Sequence, residues 1–422
     1  MQTSRIHIVG AGLAGLAAAL RLAGAGYPVV LHDSAGHAGG RCRSFFDNQL
    51  DRRIDNGNHL MLSGNWAIRE YLEMVGASDS LIGPEDASFP FRDLTSGESW
   101  TVQPDEGRIP WSILFGKGRI PGTGLWEYLR GFRLARAGDN ATIAQCLGGR
   151  GKLFERFWEP LAVGVLNTPV ENASAALLWP VIEETFGQGR AACRPLMARE
   201  GLSESFVDPA LDWLAGKGTK VRLNNRLRSL EFDGDRVTAL EFSSGRVDLE
   251  EDEAVVLAVP AWIANDLIPD LNGPQGAHAI VNAHFCLNRP PPAGAPMLVG
   301  LVGGVSHWVF LRGDVASVTV SAADDLAAES NEAIAERLWP EVQAALSLPE
   351  GPMPSWRIVK EKRATISQTP EENRRRPDAE TKWRNLVLAG DWTATGLPAT
   401  IEGTIRSGFR AAELLSDSQP AA

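Results

Sequence analysis

Cysteine is scarce in this chain. Its four thiols, Cys42, Cys146, Cys193 and Cys286, are widely spaced and form no Cys-x-x-Cys pair. Neither a disulfide framework nor a zinc site is expected, no other metal site is suggested, and a reducing compartment suits the protein. Long apolar runs are missing as well. No stretch approaches the roughly 20 apolar residues of a membrane-spanning helix, and the apolar start at Ile6 lacks the basic leader and cleavage site of a secretory signal. A cytoplasmic location is expected. Nor is there a surplus of positive charge: the formal net charge of −11 excludes a surface built to neutralise phosphate backbones, and with it a nucleic-acid partner. Internal repeats and long low-complexity tracts are absent, which excludes a solenoid.

What is present is a globular composition. With 422 residues, 44% of them hydrophobic, the chain carries enough apolar surface for two packed cores, so two domains are expected.

The opening stretch RIHIVGAGLAGLAAAL, residues 5–20, combines three signals. His7 to Val9 read as a short buried strand, Gly10, Gly12 and Gly15 fit the spacing G-x-G-x-x-G, and Leu13 to Leu22 continue as a helix rich in Ala and Leu. Gly10 permits a tight turn, Gly12 lets the backbone approach a pyrophosphate, and Gly15 lets helix pack closely on strand. The first helical residues, Leu13 and Ala14, then aim their amides and the positive end of the helix dipole at the anion. GYPVVLHD supplies a second strand ending at Asp33, placed roughly 20 residues on to accept ribose hydroxyls. This is the strand–turn–helix context of a dinucleotide-binding unit.

The choice between NAD and FAD rests on the next residues of the chain. AGHAGGRCRSF adds Gly39, Gly40, Arg41 and Arg43 directly after Asp33, a second glycine turn carrying fixed positive charge. A guanidinium is permanently protonated and forks onto phosphate or the electron-rich edge of a flavin, which a simple NAD domain does not require. The far end of the chain, RNLVLAGDWTATGLPATIEGTIRSGFRAAELL, repeats the logic. A strand at Leu386 to Leu388 meets a turn at Gly390-Asp391, whose carboxylate can bond ribityl hydroxyls. A loop then leads to a helix starting near Thr400, Ile401, Glu402 and Gly403, with its N-terminal amides aimed at reduced flavin. Both chain ends are thus expected on one FAD, bound non-covalently, since no cysteine lies beyond Cys286 to attach it.

These signals imply an α/β protein, with a discontinuous Rossmann-like FAD-binding domain and a second α+β substrate domain, a layout that resembles the glutathione reductase-like, amine oxidase-like arrangement. Residues 1–75, 206–268 and 373–422 are assigned to the first, residues 76–205 and 269–372 to the second. Within 218–262, hairpin strands turn at Asp233-Gly234 and Ser244-Gly245 and return the chain to the cofactor sheet, placing Leu227 near the adenine and Pro260 near the isoalloxazine. One segment carries local charge against the general trend. From Arg108 to Arg136 six basic residues (Arg108, Lys117, Arg119, Arg130, Arg133, Arg136) face one acid, Glu127, and alternate with Trp111, Phe115, Trp126, Tyr128 and Phe132. Such a mixture suits the anionic, half-apolar surface of a membrane, and equally a solvated helix face over ordinary core.

These motifs together resemble the flavin-containing amine oxidase and phytoene desaturase superfamily. Three further strings, IDNGNHLMLSGN (54–65), RFWEPLAVGVLNTPVENAS (156–174) and LAGDWTATGLPATIEGTIRSG (388–408), resemble its squalene-associated branch, the hydroxysqualene dehydroxylases of bacterial hopanoid synthesis. The resemblance implies reduction of hydroxysqualene, an allylic alcohol, to squalene by FADH2 at the cytoplasmic membrane surface, beside the synthases that supply the substrate. Protonation and loss of the hydroxyl as water, with hydride transfer to the resulting allylic cation, is the expected route. It needs a proton donor, and Asp55, His59 and Glu402 are the candidates. Asn56, Gly57 and Asn58, between the first two, are expected on the cofactor side.

A C30 hydrocarbon offers almost nothing polar to grip, so apolar burial in a long tunnel must hold it. Thirteen tryptophans against three tyrosines agree with this. Trp158, Trp179, Trp308 and Trp356, with Asn167, are the candidate substrate-binding residues, although core packing explains each tryptophan equally well. Three alternatives stand beside this reading: a carotenoid-type desaturase running hydride transfer the other way, an amine oxidase, and a flavin-bearing isoprenoid carrier without chemistry. No separate NAD(P)H-binding loop is seen, so electrons must come from NAD(P)H visiting transiently or from a redox protein.

Overall fold

Residues 5–417 are described by a computed structural model, in which the two ends of the chain lie side by side in one parallel sheet. Its five strands run in the order Lys220–Arg222, Val29–His32, Ile6–Val9, Ala254–Leu257, Leu386–Leu388, every neighbouring pair parallel. The three middle strands are buried at every residue, as is Leu386–Leu388. This is the continuous burial of a sheet covered on both faces rather than the alternation of a half-exposed one.

Two helices cover one face. The first, Leu13–Gly24, buries ten of its twelve residues, and the C-terminal helix, Ile401–Asp417, packs along it so closely that a Cβ at Gly408 would lie 2.3 Å from the Ala14 carbonyl oxygen. The turn before the first helix shows why glycine is needed there. Gly10 has φ +111° and a Cβ on it would meet the Ala258 carbonyl at 2.3 Å, while a Cβ at Gly15 would meet the Gly10 carbonyl at 1.8 Å. The strand, the glycine turn and the helix are therefore locked to the strand Ala254–Leu257, from the middle of the chain. An antiparallel three-stranded sheet (Leu227–Asp233, Arg236–Phe242, Gly245–Asp248) flanks this layer, turning where the sequence leads one to expect.

The second sheet has seven strands, in the order Ser355–Ile366, Ala277–Cys286, Val315–Val320, Trp308–Arg312, Leu298–Val302, Phe89–Asp93, Ser99–Val102. Period-two alternation divides its faces. Val281, Ala283, Phe285, Val299, Leu301, Val309 and Leu311 point to one side, against the helix Asn331–Leu346. Leu298, Trp308 and Phe310 point to the other, against the helices Glu159–Leu166 and Ala175–Glu184. On that second face the neighbouring strands place Asn282, His284, Ser317 and Thr319, all buried. A polar floor inside a large sheet is costly to bury. It marks where a site is to be sought.

Candidate active site

At the glycine loop, the Asp33 carboxylate accepts from the amides of Ala11 (2.7 Å) and Ala35 (2.8 Å), which pins it at the end of its strand beside the turn. Gly39 and Gly40 fold back over Gly12: the Gly39 amide donates to the Ala11 carbonyl at 2.8 Å, and a Cβ at Gly40 would reach the Gly12 Cα at 3.4 Å. A Cβ at Gly12 itself would meet nothing within 4 Å, and the first helix has neither a side-chain cap nor an acidic residue in its first turn. An open loop face, uncapped amides and the positive end of a helix dipole are what a pyrophosphate requires, so the residues fit FAD here.

The second end of the chain closes on the same place. Arg41 Nη2 donates to Asp391 Oδ1 at 2.8 Å and its Nη1 to the Ala364 carbonyl at 2.6 Å. Trp392 is fully buried and donates through Nε1 to the Val259 carbonyl at 2.8 Å, which brings the turn after Gly390 against Pro260. Arg43 goes elsewhere, its guanidinium 5.5 Å over the Phe45 ring. Leu227 is buried at the start of the flanking sheet.

Asn56, Gly57, Asn58 and His59 pass over the polar floor. Asn58 Nδ2 donates to Thr319 Oγ1 at 3.0 Å, Thr319 in turn donates to Asn282 Oδ1 at 2.8 Å, and a Cβ at Gly57 would touch the Asn282 amide at 3.3 Å. Asn56 is buried and leans on Glu361. Asp55, Asn58, His59, Phe310, Arg312 and Ser317 line one small cavity. Burial pulls the His59 imidazole down from 6.5 to about 4, against the opposing charge of Asp55. It is therefore neutral at physiological pH.

Two of the three proton-donor candidates make extensive contacts with the framework. Asp55 accepts from Ser44 Oγ at 2.6 Å and the Leu202 amide at 3.0 Å, and is ion-paired with Arg312 at 2.6 Å. Its carboxylate thus anchors three separate segments of the chain. Glu402 serves the framework: its two oxygens accept from the amides of Ala67 (3.1 Å) and Ile68 (3.0 Å), capping the helix Trp66–Met74, and it pairs with Arg406 at 2.7 Å. Its carboxylate is thus taken up by a helix N-terminus and an arginine. Thr400 caps its own helix, its Oγ1 accepting from the Gly403 amide at 3.2 Å, with Ile401 buried beside it. His59, by contrast, makes no hydrogen bond among the described residues.

The tryptophans divide. Trp158 and Trp308 are buried in one cluster with Phe91 and Phe154, and Trp179 packs at its edge. Trp356 lies with the cluster on the opposite face of the large sheet, so it cannot share a cavity with the others. Asn167 is a structural pin. Both amide hydrogens and its oxygen are used, on the His278 carbonyl (3.2 Å), Thr365 Oγ1 (3.0 Å) and the Ala322 amide (2.6 Å). A wider cleft opens beside the helix Glu159–Leu166, with a mixed lining in which Glu159, Glu171, Asp325 and Glu329 stand among Val163, Val170, Val305, Val320 and Leu326. Sequence reasoning missed Asn282, Thr319, Arg312 and Arg376. The signal available for the first two was a polar residue on a period-two face of an otherwise apolar strand.

A glycine-loop sheet closed by both chain ends, beside a large mixed sheet with a polar floor, defines a flavin-dependent oxidoreductase. The chain belongs to the flavin-containing amine oxidoreductase family, whose model matches residues 13–416, and it uses FAD. Within that class it is 46% identical over 411 residues to the hydroxysqualene dehydroxylase of Rhodopseudomonas palustris, covering 97% of this chain and 98% of that protein. It is 43% identical over 408 residues, with the same coverage, to the hydroxysqualene dehydroxylase of Zymomonas mobilis. A solved structure of wild-type putrescine oxidase bound to putrescine superposes with a TM-score of 0.71 at 16% identity, covering 98% of this chain and 99% of that one. At that identity the likeness concerns the fold alone.

Proposed function

We propose that this enzyme reduces hydroxysqualene to squalene, with electrons that reach its FAD from outside the chain, by way of NAD(P)H or a redox protein. One observation carries the reading: the near full-length likeness to hydroxysqualene dehydroxylases. Reduced FAD supplies a hydride. The chain's own residues bind, orient and protonate. Asn58, which lines the small cavity and is held from behind by Thr319 and Asn282, offers an amide for the single polar handle of the substrate, and the aromatic cluster around Trp158 and Trp308 offers apolar surface for its hydrocarbon. His59, whose ring nitrogens are uncommitted, is the remaining candidate for delivering a proton to the leaving oxygen.

The three segments 1–75, 206–268 and 373–422 form the FAD-binding part, and 76–205 with 269–372 the substrate part. The parallel sheet drawn from all three of the former supports that division. We also place the enzyme on an anionic membrane surface close to the synthases of its pathway. No helix of the described residues is long and apolar enough to cross a membrane. Seven large hydrophobic side chains between Ile109 and Phe132 are exposed nonetheless, Trp126 at 78% and Phe115 at 76%.

The test is anaerobic mixing of reduced holoenzyme with hydroxysqualene. Return of the oxidised flavin spectrum with one squalene formed per flavin supports the reading. If hydroxysqualene leaves reduced flavin unchanged while a polyene such as phytoene bleaches the oxidised form, the enzyme is a desaturase instead.

A further inference from the structure

Arg376 is 6% exposed, yet no ion pair to it forms among the described residues. Every contact of its guanidinium is to a neutral acceptor. Nε donates to the Thr393 carbonyl at 3.0 Å, Nη1 to the Leu397 carbonyl at 2.6 Å, and Nη2 to the Asp391 carbonyl and Thr395 Oγ1, both at 3.2 Å. Asn373 Oδ1 lies 3.5 Å from Nη1. Four of these five groups belong to the loop between Asp391 and Leu397, which runs from the strand Leu386–Leu388 into the C-terminal helix.

Burying a cation without its own counter-ion is expensive. Burial pulls Arg376 down from 12.5 to about 10, with the charge of Asp391 opposing, so it stays protonated at neutral pH. The carboxylate of Asp391, 5% exposed, is already paired with Arg41. Two guanidiniums therefore share one carboxylate, and the further acid acting on them, Glu361, bears on Arg41 rather than Arg376. Arg376 therefore brings a cation with no carboxylate bonded to it beside the loop assigned to the flavin. A loop that needed only shape would be served by neutral donors.

We propose that Arg376 is a positioning residue for the flavin: its planar fork fixes the carbonyls of Asp391, Thr393 and Leu397, and its charge, bonded to no carboxylate, favours the electron-rich reduced cofactor over the oxidised one. A lysine cannot reproduce the fork, because an ammonium lacks the planar set of donors that holds three carbonyls and a hydroxyl at once. A glutamine keeps donors but no charge. Shape and charge are thereby separable.

The experiment compares the holoenzyme with Arg376→Lys, Arg376→Gln and Arg376→Met, reading FAD dissociation constants and the two-electron potential of the bound flavin, neither of which requires a substrate. Arg376→Lys is expected to bind oxidised FAD more weakly at an unchanged potential. Arg376→Gln and Arg376→Met are expected to lose affinity for reduced FAD about tenfold more than for oxidised FAD, a fall of about 30 mV. Should Arg376→Met fail to fold, Arg376→Gln carries the same comparison. Wild-type affinity in all three variants overturns the positioning role, and a wild-type potential in the glutamine variant overturns the electrostatic one. A wild-type chain that took up no FAD would instead sink the cofactor assignment on which this rests, and a wild-type holoenzyme inert towards hydroxysqualene would leave the role of Arg376 standing.

Discussion

Arg41 and Asp391, 350 residues apart in sequence, form a 2.8 Å ion pair in which the carboxylate is almost wholly buried. That pair ties the glycine–arginine loop near the start of the chain to the turn after its last strand. Removing the acid leaves Arg41 without its ion-pair partner and Arg376 without the carboxylate that opposes the cost of its burial. Asp391→Ala is expected to destabilise the FAD-free chain by about 3–5 kcal/mol, and Asp391→Asn by less, because an amide oxygen still accepts from Arg41. Denaturant titration of the apoprotein measures both, and equal effects from the two variants would show that the charge is not what matters.

Five histidines are held neutral by burial. His7, His59, His284 and His307 are each lowered from 6.5 to about 4, and His32 to about 3. Between those values and 6.5 the unfolded chain binds more protons than the folded one, so stability falls as pH drops through that window and is at its full value above it. Each such histidine contributes a slope of up to about 1.4 kcal/mol per pH unit. Denaturation midpoints are expected to fall steeply between pH 7 and pH 5. His307→Gln, whose side chain can still accept from the Ser321 amide that now donates to Nδ1 at 3.1 Å, is expected to flatten the slope by about one proton. An unchanged slope would place the proton uptake elsewhere.

What could be read in advance was what is local. Gly10, Gly12, Gly15 and Asp33 announce a strand, turn and helix within a few dozen residues, and hairpin turns such as Asp233-Gly234 carry their own chemistry. The contribution of residues 254–257 and 386–388 to the same sheet was legible because buried parallel strands show as short unbroken apolar runs. The polar floor was not. Asn282 and Thr319 meet only because Ala277–Cys286 pairs with Val315–Val320 in one register, and nothing local sets that pairing. The partner of Glu402 was hidden for a related reason: an acid at a helix start suggests a dipole partner or a catalyst, and the helix it caps, Trp66–Met74, lies more than 300 positions earlier. Trp356 was placed with the other tryptophans by composition, whereas its parity on the strand Ser355–Ile366 turns it to the opposite face.

If His59 delivers the proton, the active form is the imidazolium, a minority species at neutral pH. The rate of hydroxysqualene turnover by pre-reduced enzyme is then expected to rise about tenfold for each unit of pH lowered above a pKa near 4. The measurement must be restricted to pH values at which the fold is intact. His59→Gln is expected to abolish the slope and to cost about 100-fold or more in rate, with FAD affinity kept. A flat profile in the wild-type enzyme would assign protonation to another group or to water.

The segment from Arg108 to Arg136 is folded against the body of the protein on one side and unpartnered on the other. Ile120 and Leu134 are buried with Trp158, whose ring would lie 2.7 Å from a Cβ at Gly131. Outward stand Ile109, Trp111, Leu114, Phe115, Trp126, Leu129 and Phe132, leaving only Phe46 and Trp66 as exposed large hydrophobics elsewhere among the described residues. Six basic residues in the same stretch complement an anionic headgroup layer despite the net charge of −11. The protein is therefore expected to sediment with phosphatidylglycerol vesicles, less with phosphatidylcholine vesicles, and less with either as salt rises. At about 2 kcal/mol per buried aromatic side chain, replacing Phe115, Trp126 and Phe132 together by serine is expected to weaken vesicle binding by well over a hundredfold. Turnover of detergent-solubilised substrate should not change. If the wild-type chain stays in the supernatant with anionic vesicles at low salt, this face serves another purpose.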